Sequence, residues 1–353
     1  MMAGASVTYA RSINQLADDL QEQAPTILIT VPRLLERIHS RIEQKLVKGP
    51  AVSRWLFRLA VASGWRNFER RQGRAGWHPV LLLHPLLQRL IGAKIVQRFG
   101  ERLRFVVSGG APLPFGIART FIGLGITILQ GYGLSESSPQ VCVNRPDNNN
   151  PRSAGTILDG IEVRIGADNE LLVRGPGVML GYWNDRVATS STIDQDGWLH
   201  TGDQGAIIDG HIHITGRIKD ILVLSNGEKV PPAEMECAIA LDPLFEQVLV
   251  IGEGQASLGA LIVINGEEWE SLARQHGLDP LQEVSLCDRH VQREVLARIA
   301  HTLHDFPAYA KIRHIHLMRE PWTMENGLMT PTLKLKRDAI QARYARELSN
   351  LWN

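Results

Sequence analysis

The stretch Leu103-Arg104-Phe105-Val106-Val107-Ser108-Gly109-Gly110-Ala111-Pro112 decides the fold class, because an apolar run ends directly in glycines. The run predicts a buried strand. The segment from residue 115 to 124 has helical spacing, and Thr127-Ile128-Leu129-Gln130 predicts the next strand. Parallel strands joined by helices are typical of an α/β fold, which we therefore expect here.

The chain before this stretch repeats the alternation of helix and strand. Residues 12 to 24 have the spacing of a helix, and residues 26 to 31 form an apolar run that predicts a buried strand. Pro32 then opens a further helix, because proline is tolerated in the first helical turn, where its missing N–H is not needed. These elements extend the same α/β subdomain toward the amino terminus.

The pattern changes after residue 152. From residue 153 to 214 short alternating runs are separated by Gly and Asp turns, which predicts a small β-barrel or sheet. Beyond Lys219 strands and helices mix again, with helices expected from Pro232 and near residues 289–304 and 336–350. We therefore expect three parts: an α/β subdomain over 1–152, a β-barrel-like subdomain over 153–216, and a compact α+β domain over 217–353.

Composition limits the classes of function. The chain has 353 residues, with 38 Lys and Arg against 37 Asp and Glu, so its net charge is +1. No overall field attracts nucleic acid, and we expect no such partner. The three cysteines Cys142, Cys237 and Cys287 are widely spaced and form no Cys-x-x-Cys pair. They predict buried, reduced thiols and no zinc site or disulfide framework.

Location is predicted from what the sequence contains. Its first residues do not form the apolar stretch of a secretory signal, and its most apolar window, Val80 to Leu87, is far shorter than the roughly 20 residues that span a bilayer. We expect a cytoplasmic protein. Arginines alternate with aromatic residues between Arg54 and Trp77. This pattern is compatible with contact with an anionic membrane surface. We favour the alternative, a packed helix whose arginines reach solvent.

Two loops are expected at neighbouring strand ends. The glycines Gly109 and Gly110 let the backbone approach a flat ligand, and the ring of Tyr132, at the end of the next strand, can stack on a purine. Glu136 lies close enough to bind a hard cation that bridges phosphates. Each residue also has an ordinary interpretation, as a structural turn, a core tyrosine or a solvated glutamate. Their convergence in one crevice favours a nucleotide site.

Three charged residues further along the chain suit the same ligand. The carboxylate of Asp203 can accept hydrogen bonds from two vicinal ribose hydroxyls, and the planar guanidinium of Arg217 can bind ribose or phosphate oxygens. Lys334 can deliver a cation into a closed site. The alternatives are an aspartate in a hairpin turn, a surface arginine and, for Lys334 with Lys336 and Arg337, a solvated basic patch.

These stretches resemble the adenylate-forming (AMP-binding) superfamily, and most closely its long-chain fatty acid–CoA ligases. The resemblance covers essentially the whole chain. It is carried by four segments in a fixed order, namely Gly131-Tyr132-Gly133-Leu134-Ser135-Glu136, Gly197-Trp198-Leu199-His200-Thr201-Gly202-Asp203, Gly216-Arg217-Ile218-Lys219-Asp220 and Pro331-Thr332-Leu333-Lys334. Two further segments are similar to the long-chain subset, namely Ser225-Asn226-Gly227-Glu228-Lys229-Val230 and Thr330 to Arg337.

The resemblance implies a role for each matching residue. It implies that Gly109, Gly110 and Ala111 line adenine, that Tyr132 stacks on it, that Gly133 and Ser135 also belong to the nucleotide site, and that Ser135 stands where the family usually has threonine. Glu136 would bind magnesium, Asp203 and Arg217 would hold the ribose, and Lys219 would be the hinge of the small domain. The turn Ser225-Asn226-Gly227 would face coenzyme A. The catalytic lysine would be Lys334 or Lys336, because Leu333 stands where many relatives have glycine.

The implied reaction joins a long-chain fatty acid to coenzyme A through an acyl adenylate, with ATP, AMP and Mg²⁺ as ligands. No Ser/Thr/Gly-rich loop that ends in Pro-Lys-Gly occurs in the sequence, although the family uses such a loop to hold phosphates. The chain is therefore expected to be a truncated or split ligase. Two alternatives stay open: a non-catalytic adenylate- or CoA-binding subunit that needs an N-terminal-half polypeptide, and a ligase that passes the acyl group to a carrier protein.

Overall fold

The computed structural model describes residues 4–12, 15–330 and 334–352 and divides the chain into two compact units. The first unit contains residues 1–201 and 205–214, and the second contains residues 202–204 and 215–353. Within the described ranges, no helix combines the length and the apolar character needed to cross a membrane.

The first part of the chain contains seven α-helices within the described residues. They are α1 Leu16–Gln23, α2 Pro32–Lys48, α3 Ala51–Arg71, α4 His84–Leu87, α5 Ala93–Arg98, α6 Phe115–Gly123 and α7 Arg186–Thr192. A 3₁₀ turn, Pro79–Leu82, and a π-helical turn, Gln88–Gly92, flank α4. The first helix begins at Leu16 rather than at residue 12, and residues 13 and 14 of its predicted range lie outside the described residues.

Within the part of the chain that the structure describes, nine strands form a single sheet. They are β1 Ile27–Thr30, β2 Phe105–Ser108, β3 Ile128–Gly133, β4 Gln140–Val143, β5 Gly155–Ile157, β6 Glu162–Ile165, β7 Glu170–Arg174, β8 Leu199–Ile208 and β9 His211–Arg217. Their order is β1-β2-β3-β4-β5-β9-β8-β7-β6. The first three strands are parallel, as predicted, and β4 and β5 continue the sheet with antiparallel pairing. The α/β fold class is confirmed, and the β-rich stretch runs on from the parallel strands.

The prediction of a buried first strand is wrong. In β1 the side chains of Ile27 and Ile29 are 44% and 80% exposed. The strand is the last in the sheet order, and β2 is its pairing partner among the described residues. An apolar run marks a strand but does not tell an edge strand from a central one.

Helix α3 packs closely against α6. Its side chains Phe57 and Ala60 are buried, and a Cβ placed on Gly64 would overlap the carbonyl oxygen of Gly123 in α6. The two backbones therefore touch where both helices have glycine. The part of the arginine- and aromatic-rich segment that lies in α3 is therefore a packed helix.

The remaining elements among the described residues form a three-stranded sheet covered by helices and a separate two-stranded sheet. They are β10 Leu222–Val223, β11 Lys229–Val230, α8 Pro232–Ile239, β12 Phe245–Ile251, β13 Leu258–Ile264, α9 Gly266–Gln275, α10 Arg289–Thr302, β14 Ile312–Met318, α11 Arg337–Arg343 and α12 Ala345–Asn350. The predicted helix over 336–350 is interrupted at Tyr344, whose backbone is not helical. This part is the smaller α+β unit that the sequence predicts.

Alternating residues of β13 enter two cores because successive side chains of a strand point to opposite faces. Ala260, Ile262 and Ile264 join the core formed with α8, α9 and α10. Leu261 and Val263 join the second core, which contains buried Trp322 and residues of α11 and α12. Both faces of this sheet are therefore covered, which explains the unbroken apolar character of the strand.

The cysteines are free, but only one is buried. Cys142 lies inside the sheet, and its burial raises the pKa of the thiol to about 12. Cys237 is half-buried and Cys287 is exposed, so the prediction that all three are buried is wrong. Cys287 ends the short 3₁₀ turn before α10, where the chain lies at the surface.

Candidate nucleotide site

The loop after β2 is tied to the neighbouring strand β3. Ser108 pairs with Gln130 across the two parallel strands, and the N–H of Leu113 donates to Oε1 of Gln130 at 3.1 Å. Gly110 has a φ of +86°, a conformation that glycine adopts without strain. Gly110 and Ala111 are exposed, and Gly109 is half-buried. The predicted glycine loop and the predicted purine-stacking strand thus meet at one edge of the sheet.

The end of β3 requires glycine. A Cβ on Gly133 would overlap the carbonyl oxygen of Pro139, and the pairing of β3 with β4 is irregular between Tyr132 and Gly133. Tyr132 is half-buried, so part of its ring remains accessible for stacking. Ser135 is exposed and begins the 3₁₀ turn Ser135–Ser137 that follows.

Glu136 is held by a segment that is distant in sequence. Its carboxylate accepts a hydrogen bond from the hydroxyl of Tyr182 at 2.9 Å, and its main-chain oxygen accepts one from the N–H of Met179 at 2.8 Å. The hydrogen bond to Glu136, together with partial burial, raises the pKa of Tyr182. Sequence reasoning missed Tyr182, since no local pattern connects it with a residue 46 positions earlier.

The donor set at Glu136 fits a magnesium ion held mainly by phosphates. Among residues 4–12, 15–330 and 334–352 no group of three or more His, Cys, Asp or Glu side chains is arranged to hold a metal. Mg²⁺ is commonly bound through one or two carboxylates together with substrate phosphates and water. The half-buried carboxylate of Glu136 can supply that single protein ligand.

Asp203 and Arg217 form an ion pair within the second compact unit. The guanidinium Nε of Arg217 donates to Oδ1 of Asp203 at 3.0 Å. The Asp203 side chain is 8% exposed and that of Arg217 is 63% exposed. A buried carboxylate beside an accessible guanidinium offers both an acceptor and donors, which is the combination that a ribose requires.

The predicted hinge and thiol-side loop lie at the surface. Lys219 is exposed within the 3₁₀ turn Ile218–Asp220. Ser225, Asn226 and Gly227 form the exposed turn between β10 and β11, where Gly227 has a φ of +84°. The side-chain oxygen of Asn226 accepts from the N–H of Glu228 at 3.1 Å and so shapes this turn.

Both candidate lysines are exposed. The N–H of Lys334 donates to the hydroxyl of Thr330 at 3.0 Å, and the N–H of Thr330 donates to the carbonyl of Lys334 at 2.8 Å. Three residues of the matching motif, Pro331, Thr332 and Leu333, lie outside the described residues. The alternative of a solvated basic patch is wrong for Arg337, whose side chain is 16% exposed and paired with Glu236.

Solved structures with the same fold are adenylation domains. The adenylation domain of a carboxylate reductase from Mycobacterium chelonae aligns with a TM-score of 0.72 at 22% identity, over 97% of this chain and 49% of that one. The corresponding domain from Segniliparus rugosus, determined with AMP and a co-purified carboxylic acid, aligns with a TM-score of 0.69 at 20% identity, over 98% and 50% of the two chains. The chain therefore has the fold of these adenylation domains.

Residues 1–183 match the AMP-binding enzyme family, and residues 219–353 match the AMP-binding enzyme C-terminal domain. The chain belongs to the AMP-binding enzyme family. A long-chain fatty acid–CoA ligase of Mycobacterium bovis is 32% identical over 99% of this chain and 58% of the relative's length. A chloroplastic long-chain fatty acid–[acyl-carrier-protein] ligase of Arabidopsis thaliana is 29% identical over 97% and 52%. The chain therefore spans about half the length of these curated relatives.

Proposed function

We propose that this chain contributes the adenine, ribose and magnesium contacts of an acid–thiol ligase that activates long-chain fatty acids. One observation carries the proposal: β2 and β3 are paired parallel strands, the glycine loop Gly109–Ala111 follows β2, and Tyr132 and Glu136 lie at the end of β3 and in the turn after it. Open α/β sheets bind ligands outside the carboxyl ends of their strands. Membership of the AMP-binding family supports adenine as the ligand.

Each side chain has a task in the proposed reaction. The ring of Tyr132 stacks on adenine above Gly109 and Gly110, and Ser135 adds a hydroxyl beside it. Asp203 accepts hydrogen bonds from the ribose hydroxyls, while Arg217 donates to ribose or phosphate oxygens. Mg²⁺, when bound by Glu136 and the phosphates, supplies positive charge against the negative charge that develops there.

The chemistry has two halves. The fatty acid carboxylate attacks the α-phosphorus of ATP, the bond to pyrophosphate breaks, and Lys334 or Lys336 stabilises the developing charge. The smaller domain, over residues 217–353, then turns about Lys219 and brings Ser225, Asn226 and Gly227 toward the adenylate. The thiol of coenzyme A attacks the acyl carbonyl, AMP leaves, and the acyl-CoA is released. We place this reaction in the cytoplasm.

The outer phosphates of ATP require a loop from another polypeptide in this proposal. The sequence contains no Ser/Thr/Gly-rich loop that ends in Pro-Lys-Gly. We propose that a polypeptide with such a loop, corresponding to the amino-terminal half of the ligase relatives, completes the site. AMP binding then requires only this chain, whereas ATP–pyrophosphate exchange requires both.

A carrier protein is the second candidate for the thiol acceptor. The relative from Arabidopsis thaliana that acts on an acyl-carrier protein favours it, at an identity similar to that of the CoA ligase from Mycobacterium bovis. Both acceptors present a phosphopantetheine thiol, so the same adenylate serves either. A preformed acyl adenylate offered to coenzyme A and to loaded carrier protein in parallel distinguishes the two.

Calorimetric titration with AMP tests the nucleotide site. We expect AMP to bind this chain and Tyr132→Ala to weaken binding by roughly 5- to 150-fold, since stacking of a base on an aromatic ring contributes about 1–3 kcal/mol. Tyr309→Ala is the matched control, because Tyr309 is an exposed tyrosine of the second unit. Equal affinities for AMP in the two variants, or no binding by the unaltered chain, would contradict the proposal.

A further inference from the structure

The positive charge of the chain is concentrated in one segment. Residues 44–100 contain 11 Lys and Arg residues and a single acidic residue, Glu69, although the whole chain has a net charge of +1. The rest of the chain therefore has an acidic excess. A local field of one sign attracts ligands of the opposite charge even when the net charge is close to zero.

The same segment exposes a stripe of leucines. A continuous helical run from Pro79 to Arg98 is formed by the 3₁₀ turn, α4, the π-helical turn and α5. Leu82, Leu86 and Leu90 stand four residues apart on this run and are 72%, 57% and 54% exposed. Residues at this spacing share a helix face. Leu83 and the nearby Trp77 are 46% and 60% exposed, which extends the apolar surface.

The leucine stripe points outward because the opposite side of the run is anchored. Leu87 is 4% exposed, and the side chain of Asn67 in α3 lies 3.2 Å from Nε2 of His84 in α4. Gln88 donates from Nε2 to the carbonyl oxygen of Leu124 at 3.0 Å. These contacts hold one face of the run against the protein and leave the leucines on the other.

Cations border the stripe. Arg89, Lys94 and Arg98 are exposed, and none of them forms a salt bridge with another described residue. Lys94 and Arg98 continue the four-residue spacing of the leucines. Leucine and tryptophan beside lysine and arginine on one helical surface are typical of helices that lie in the interface of an anionic bilayer.

A second copy of this chain is a poorer occupant. A twofold contact through the stripe would bring the same basic segment of both copies together, and like charges would repel across it. A lipid surface supplies the opposite charge, and it accommodates protruding leucines without a shaped pocket. We propose that Leu82, Leu86 and Leu90 insert among the headgroups of an anionic membrane while Arg89, Lys94 and Arg98 contact lipid phosphates.

Vesicle flotation tests this proposal with the unaltered chain and two variants. The vesicles are phosphatidylcholine alone and phosphatidylcholine with 30–40% phosphatidylglycerol, at low and high salt. The first variant combines Leu82→Ser, Leu86→Ser and Leu90→Ser, and the second combines Arg89→Glu, Lys94→Glu and Arg98→Glu. The matched control combines Arg293→Glu, Lys311→Glu and Arg313→Glu, three exposed cations of the second unit. Thermal unfolding of each protein checks that it folds.

We expect the unaltered chain to bind the anionic vesicles and to be released by salt. Each cation near an anionic surface contributes about fivefold to binding, so the charge-reversal variant should lose at least about 100-fold. The leucine variant should lose about 1,000-fold, because each of its three leucines contributes roughly tenfold when inserted. The control should keep its binding. Because flotation detects no ligase chemistry, the result is independent of the proposed function.

Three outcomes would overturn the proposal. The first is equal binding of neutral and anionic vesicles by the unaltered chain. The second is an equal loss in the control and the charge-reversal variant, which would indicate a non-specific effect of charge. The third is a dimer in sedimentation that becomes a monomer in the leucine variant, which would assign the stripe to a second copy of the chain.

Discussion

Arg337 donates from Nη1 to Oε1 of Glu236 at 2.7 Å and from Nη2 to the carbonyl oxygen of Val250 at 2.6 Å. The N–H of Val250 donates in turn to the same carboxylate oxygen of Glu236 at 2.8 Å. Burial raises the pKa of Glu236, and the neighbouring guanidinium opposes this change. The cluster ties α8, β12 and α11 together directly after the two candidate catalytic lysines, so it fixes where their segment ends.

Glu236→Gln should destabilise the chain by about 3 kcal/mol. It leaves the buried guanidinium of Arg337 without its counter-charge, and breaking a buried ion pair on one side costs about 3–5 kcal/mol. Urea unfolding measures the change. The control is Glu270→Gln, since the pair of Glu270 with Arg274 is exposed and should contribute less than about 1 kcal/mol. Equal effects of the two substitutions would contradict the assignment.

The double variant Glu236→Leu with Arg337→Leu tests whether the attraction within the ion pair exceeds the cost of burying its two charges. Replacement of both partners by apolar residues removes the charge and its desolvation cost together. We expect the free energy of unfolding to recover part of the loss caused by Glu236→Gln. If the double variant is less stable than Glu236→Gln, the ion pair contributes net stability in this site.

His39 should make the chain sensitive to mild acid. Its burial lowers the pKa of the imidazole from 6.5 to about 4, and the side chain is only 13% exposed. The unfolded state therefore binds a proton that the folded state excludes. Stability should fall as the pH drops from about 6.5 to about 4, by up to about 3 kcal/mol for this group.

His39→Gln removes the titrating group and tests the sign of this effect. The free energy of unfolding of the unaltered chain minus that of the variant should decrease steadily as the pH falls through this window. Urea unfolding at several pH values measures it. Other groups titrate equally in both proteins, so a difference that does not change with pH would show that His39 is accessible to protons in the folded state.

Gly64→Ala should disrupt the contact between α3 and α6. The added methyl group would overlap the carbonyl oxygen of Gly123, and backbone cannot move aside as a flexible side chain can. We expect a loss of at least about 3 kcal/mol, the upper range for overpacking of a tight interior. Gly76→Ala is the control, because its added methyl group meets no atom within 4 Å. Similar urea midpoints for both variants would contradict the close approach.

Local sequence patterns predicted the elements better than the contacts between them. The apolar run before Gly109 marked β2 correctly, and the glycines after β2 correctly indicated a loop at a strand end. The same kind of run did not reveal that β1 is an edge strand, because exposure depends on which other elements cover it. The roles assigned to the site residues stay predictions.

Contacts between distant residues left no local signal. Glu236 and Arg337 are 101 positions apart, and Glu136 and Tyr182 are 46 positions apart. Hydrophobic periodicity reports which face of an element is buried, but not which polar partner from another element will meet it. The anchored arginine and the tyrosine at the candidate metal ligand are therefore visible only in three dimensions.

Tyr182→Phe should raise the Mg²⁺ concentration required for nucleotide binding. The hydroxyl of Tyr182 orients the carboxylate of Glu136, and loss of such an outer hydrogen bond typically weakens metal binding by 10- to 100-fold. The tyrosine ring is 38% exposed, so we expect a change near the lower limit, about tenfold. The measurement is binding of ATP at increasing Mg²⁺, with the chain that supplies the phosphate loop present.

Two further variants are the controls for this Mg²⁺ titration. Glu136→Gln should remove the Mg²⁺ dependence almost completely, because a neutral amide is a weak ligand for a hard cation. Tyr309→Phe removes the hydroxyl of another partly exposed tyrosine and should change nothing. If Tyr182→Phe instead tightens Mg²⁺ binding, the hydroxyl of Tyr182 competes with the metal for Glu136, and the hydrogen bond belongs to the metal-free state of the chain.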